Sequence, residues 1–203
     1  MRLTYLTGRA HSVQAAVTGL LSSQLSTPGA VILLVPSQFT LQAERDALEG
    51  LDLPGSFELS VLSPERLYAR VFEGTGWPRE ARVDEQGRTM LMHAAAARLK
   101  KQLTWYAGAV KRPGFAERAT RQIAAFKQAG LSPEDVHAQA RSANGALARK
   151  LHDLALLYDA YERALAGRFL DGEDEQARAA RAMPDAPFLR GARVCVHGFD
   201  LLT

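Results

Sequence analysis

Six consecutive apolar residues, Ala30-Val31-Ile32-Leu33-Leu34-Val35, lie between the turn Thr27-Pro28-Gly29 and Pro36. A run with no alternating polar residue has no face to offer water. It reads as a strand covered on both sides, as in a parallel sheet. Parallel strands need crossover connections, usually helices. This one segment therefore demands strand–helix alternation around it.

The flanks supply that alternation. Arg2 to Thr7 is strand-like and stops at Gly8. His11 to Leu25 carries Val13, Ala16, Val17, Leu20 and Leu21 at the spacing of a helix with one buried face. Gln38 to Glu49 predicts the next helix, and Phe57 to Leu62 the next strand. Ser63-Pro64-Glu65 is a helix start, with Ser as cap and Pro in the first turn.

After Gly74-Thr75-Gly76-Trp77-Pro78 the pattern changes, and no strand is expected from Asp84 to Met183. Helices are predicted over Asp84–Leu103, from Pro113-Gly114 to Gly130, after the cap Ser132, and over Ala146–Arg168. The last has a seam of Leu147, Leu151, Leu154, Tyr158, Tyr161 and Leu165. It lasts little more than two heptads, so it predicts internal packing and not a coiled coil. Ala192 to His197 is strand-like again. The expected fold class is α/β, a RecA-like (P-loop NTPase-like) parallel sheet with a large all-helical insertion. Its expected parts are residues 1–78, the insertion 79–183, and a return strand in 184–203. A chain that stops just beyond such a strand reads as part of something longer.

Composition removes several classes. The chain has 203 residues and one cysteine, Cys195, so no disulfide scaffold is possible. No apolar run approaches the roughly 20 residues of a membrane span, and the N-terminus lacks a secretory signal. A cytoplasmic protein with no membrane partner is expected. Net charge is +3. Eight basic residues between Arg98 and Lys127 face a single acid, Glu117; they read first as a solvated face. Asp171 to Glu175 reads as a solvated acidic run.

Chemistry is sought first at the loop after the first strand. A phosphate-binding loop needs Gly, four residues, then Gly-Lys-Ser/Thr. Gly8 is followed by Arg9-Ala10-His11-Ser12, but then by Val13, Gln14 and Ala15. The second glycine, the phosphate-binding lysine and the magnesium-binding hydroxyl are all replaced. Gly8, Arg9, His11, Ser12 and Gln14 thus form a degenerate nucleotide loop, expected to be inactive. After the last strand, His197 stands where a nucleotide hydrolase places its magnesium-binding acid. No catalytic residue and no metal ligand set is identified; the five histidines lack ligand spacing. Cys195 is expected to be an inert, buried thiol. Gln38, Phe39 and Thr40 leave the C-terminal end of the second strand, where open α/β sheets bind ligands. They are candidate nucleic-acid contacts, with Phe39 able to stack on an unpaired base. The competing reading is a capped helix start with Phe39 packed inward.

The segment Leu34-Val35-Pro36-Ser37-Gln38-Phe39-Thr40-Leu41-Gln42-Ala43-Glu44-Arg45 resembles an early segment of the AddB family, second subunits of bacterial AddAB helicase-nucleases. Further stretches agree in order: Val61-Leu62-Ser63, Val71-Phe72-Glu73, Pro113-Gly114-Phe115-Ala116, Lys150-Leu151-His152-Asp153-Leu154-Ala155, and Pro187 to Ala192 followed by Gly198-Phe199-Asp200. The resemblance implies a superfamily 1 helicase-like core, an AddA-like helicase-nuclease partner, and DNA, single-stranded or as a duplex end, as ligand in recombinational repair. It places DNA contact at Gln38 to Thr40. It implies an iron–sulfur cluster only far C-terminal to these residues, and one cysteine cannot hold such a cluster. The resulting expectation is a scaffold and DNA guide that needs neither ATP nor magnesium of its own. A divergent P-loop enzyme using Arg9 and His11, or a pure protein-interaction module, are the alternatives.

Overall fold

The computed structural model describes residue 4 and residues 9–199, with residues 10 and 11 described by their backbone only. The predicted first strand, Gly8 and the side chain of His11 lie outside the described residues. In chain order, helix α1 (Ala10–Leu25) leads to strand β1 (Val31–Leu34), a 3-10 turn at Ser37–Phe39, α2 (Thr40–Gly50), β2 (Leu59–Leu62) and α3 (Pro64–Thr75). Then come β3 (Ala81–Arg82), α4 (Glu85–Leu99), α5 (Phe115–Gln128), α6 (Pro133–Ser142) and α7 (Gly145–Leu165). Strand β4 (Phe169–Leu170), α8 (Gly172–Ala182), two short 3-10 turns and β5 (Arg193–Val196) complete the described elements. The fold is mixed α/β with small parallel sheets. Two compact units result: residues up to Trp77 together with those from Ala179 onward, and Pro78–Arg178.

The first unit is built on a parallel sheet ordered β2-β1-β5, with Val31 opposite Leu59 on one side and Arg193 on the other. The central position of β1 explains its sequence, since Val31, Ile32 and Leu33 are all buried. Strand side chains alternate between faces. Val31, Leu33 and Val35 join Val17 and Leu21 of α1 and Ala47 of α2 in one core. On the opposite face Arg70 of α3 donates to Ser60 Oγ at 3.0 Å. Helices thus cover both faces, as the unbroken apolar run requires. Arg193 donates to the carbonyls of Thr27 and Gly29 at 2.7 and 2.8 Å, tying the start of β5 to the turn before β1. Cys195 is half-buried against α1 and α2, and burial pushes its thiol pKa up.

The predicted cap of α3 is present: Ser63 Oγ accepts from Arg66 N–H at 3.3 Å, with Pro64 in the first turn. Removing a capping hydroxyl costs about 1 kcal/mol. Ser63→Ala is therefore expected to lower unfolding free energy by about that amount in a urea titration, with an unchanged m-value.

The second unit packs α4, α5, α6 and α7 around Met92, Ala96, Ile123, Leu157, Tyr158 and Tyr161. Tyr158 donates to the Leu131 carbonyl at 3.0 Å, and His137 Nε2 lies 2.8 Å from Asp159, joining α6 to α7. Ser132 and Asp135 form the full capping box of α6. Several expectations need correction here. Leu147 is exposed and does not belong to the seam of α7; Asp153, Ala155 and Leu157 are buried instead. The block is not free of strands, because Phe169 and Leu170 pair in parallel with Ala81 and Arg82. Two residues carry no readable period, so periodicity could not reveal them. Helix α4 ends at Leu99, short of Leu103, because the amides of residues 104–106 are drawn to Asp153. Asp171 is not solvated but buried, and so is the Lys127 side chain.

Candidate functional site at the sheet edge

The C-terminal ends of β1 and β5 open into one cleft in the first unit. After β1 the chain turns at Pro36, whose carbonyl accepts from Phe39 N–H at 2.9 Å and winds the 3-10 turn ahead of α2. After β5, His197 N–H donates to the Leu34 carbonyl at 2.9 Å, so the two strand ends lie flush. A cavity of about 160 Å³ lies there. Its apolar wall includes Val17, Leu21, Val35 and Ala47, and its polar groups come from Gln14, Thr18, Gln42, Asp46 and His197.

The predicted site residues divide on this geometry. Gln14 and Phe39, singled out for different reasons, line the same cleft, and Phe39 is 48% exposed rather than packed inward. Arg9 is the exposed N-cap residue of α1; its carbonyl accepts from Ser12 Oγ at 2.8 Å, which occupies the Ser12 hydroxyl locally. Thr40 Oγ1 likewise donates to the Ser37 carbonyl at 3.1 Å. Gln38 is exposed and stands outside the cleft lining. Ser37 donates to Glu65 Oε2 at 2.6 Å, which lowers the Glu65 pKa and ties the turn to the start of α3.

Asp46 is a cleft residue that the sequence reading missed. It bonds to Gln42 Nε2 and follows Phe39 by seven residues, two helical turns, which places both on one face. That spacing was the available signal. Among the described residues no Lys or Arg lines the cavity, and its one carboxylate opposes an anion. Ligand pockets usually span about 300–1,000 Å³. A single ring fits here; the described lining is not suited to a triphosphate with magnesium. No group of three His, Cys, Asp or Glu side chains is gathered to bind a metal among the described residues. None of the described helices is long and apolar enough to cross a membrane.

The family model described as "ADDB, N-terminal" matches residues 7–203. The chain belongs to the AddB N-terminal family. Its AddB relatives include proteins named as the B-type component of an ATP-dependent helicase/deoxyribonuclease. The one from Moorella thermoacetica is 37% identical over 180 residues, 86% of this chain and 16% of that protein. Those from Alkaliphilus metalliredigens and Bacillus anthracis are each 33% identical, over 85% and 83% of this chain and 15% of their own lengths. The chain thus spans about a sixth of the AddB proteins it matches.

Proposed function

We propose that this chain is the helicase-shaped N-terminal region of a protein that handles DNA ends for double-strand-break repair in the cytoplasm. In this reading its RecA-like sheet and helical insertion serve as scaffold and strand guide, beside an AddA-like helicase-nuclease, and hydrolyse no ATP. One observation carries it: the sheet-edge cleft keeps the position of a nucleotide site but carries Gln14, Asp46 and His197 in place of phosphate-binding cations. A family whose members are named for helicase and deoxyribonuclease activity supports the DNA role. The empty charge inventory supports the silence of this particular pocket.

Equilibrium binding of labelled ATP tests the silence. No saturable binding with magnesium is expected, and micromolar, magnesium-dependent affinity refutes it. Fluorescence anisotropy with labelled DNA tests the guide. Binding that weakens steeply with salt is expected, because phosphate contacts release counterions. Phe39→Ala is expected to weaken single-strand binding roughly tenfold if Phe39 stacks on a base; equal affinity for variant and wild type removes Phe39 from the site.

A further inference from the structure

We propose that the surface around Trp105 in the helical unit is a second contact for single-stranded DNA, with the indole stacking on a base and neighbouring cations holding phosphates. The inference rests on the DNA-handling reading above and adds a site to it.

Trp105 is 42% exposed, on the segment joining α4 to α5. The Arg149 guanidinium lies 5.4 Å from its ring centroid and the Lys150 ammonium 5.0 Å, both from the first turns of α7. The joining segment adds Lys100, Lys101, Lys111 and Arg112, all exposed, and residues 100–114 contain no acid. Among the described residues none of these six cations is paired with a carboxylate. A cluster of unpaired positive charge around an aromatic ring matches a phosphate backbone with an accessible base.

The ring is also held in place. Asp153 is fully buried and accepts the N–H groups of Thr104, Trp105 and Tyr106 at 3.0, 2.8 and 2.8 Å. Three bonds to consecutive amides fix the backbone that presents the indole. Preorganisation of this kind lowers the ordering cost of binding. The ligand is single-stranded because duplex bases are already stacked and present only their edges. An acidic peptide would satisfy the cations but leaves the exposed indole without a role.

The test uses the 203-residue chain carrying Trp77→Phe, which leaves Trp105 as the only tryptophan. Titration with a dT oligonucleotide of about 16 nucleotides is expected to quench its fluorescence, and a duplex of equal length to quench it less. By anisotropy of labelled dT, Arg149→Glu/Lys150→Glu is expected to lose at least roughly tenfold in affinity and to flatten the salt slope by about 1.4. Trp105→Leu should lose roughly tenfold, with Trp105→Phe recovering part of it. Thermal melting of each variant confirms that it is folded. If folded variants bind dT like the parent, the Trp105 contact is refuted and the DNA-handling reading survives. If the parent binds no DNA at low salt, both fall. Quenching by poly-glutamate but not by dT overturns the proposal in favour of an acidic protein partner.

Discussion

Asp153→Ala is expected to lower the stability of the protein by about 3–5 kcal/mol, one of the two largest single-residue effects in the chain. The side chain is fully buried, and its two oxygens take the N–H groups of Thr104, Trp105 and Tyr106 together with the Thr104 hydroxyl. Alanine leaves three consecutive backbone donors without an acceptor, each worth about 1 kcal/mol or more. For a chain of this size the melting temperature should fall by about 10 °C. Asp153→Asn separates packing from bonding. Its amide oxygen can still take the three amides from the Oδ2 position, and its NH2 group can donate to Thr104 Oγ1, so its loss should lie between alanine and wild type. Calorimetry on the three proteins checks the order. An alanine variant that melts with wild type would show that the 104–106 segment finds other partners.

Asp153 also marks where sequence reading stops. The stretch Lys150 to Ala155 carries part of the family resemblance, yet Asp153 sits between Leu151 and Leu154 of an apolar seam and looks like the solvated neighbour of a buried stripe. Its partners lie 47 to 49 residues away, and no local pattern encodes them. The same separation hides Lys127 and Asp171, which meet across 44 residues. Read locally, Asp171 belongs to an acidic run and Lys127 to a basic one. What is legible is what local chemistry decides alone. The apolar run at 30–35 could only be a doubly covered strand, and Ser63 and Ser132 could only be caps. The cleft is half legible. The rule that parallel sheets bind at their C-terminal edge brings attention to both Gln14 and Phe39, but only the folded sheet sets them in one cavity with Asp46 and His197.

Lys127→Met should cost about 3–5 kcal/mol at neutral pH, and this loss should shrink as the solution is acidified. The Lys127 ammonium is buried within 2.8–2.9 Å of Glu162, Asp171 and Asp174. Arg88 adds one further ion pair, to Glu173 at 2.8 Å. Two cations therefore face four carboxylates, and Asp171 also accepts from Tyr161 Oη at 3.1 Å and from Asp174 N–H at 2.9 Å as the first-turn cap of α8. Although burial opposes ionisation of Asp171, the Lys127 charge and these bonds hold its pKa below the usual carboxylate range. Its contribution is complete above the unfolded-state pKa and is lost only as pH falls through the lower folded value. Glu162 is different: burial raises its pKa in spite of Lys127, so its native form takes up a proton first and gains stability on acidification. The Lys127 pKa is raised, because its three carboxylates outweigh burial, so its own contribution persists across neutral pH. Methionine removes the counter-charge and leaves burial unopposed at Asp171 as well as Glu162. Both carboxyls then titrate upward, and the variant should gain stability between neutral pH and about pH 5, where wild type gains less. Lys127→Arg keeps the charge and should lose less than methionine. Urea titrations of the three proteins across that pH range separate the accounts: a methionine variant whose deficit stays constant with pH would mean that lost packing, not uncompensated buried charge, is what Lys127 prevents.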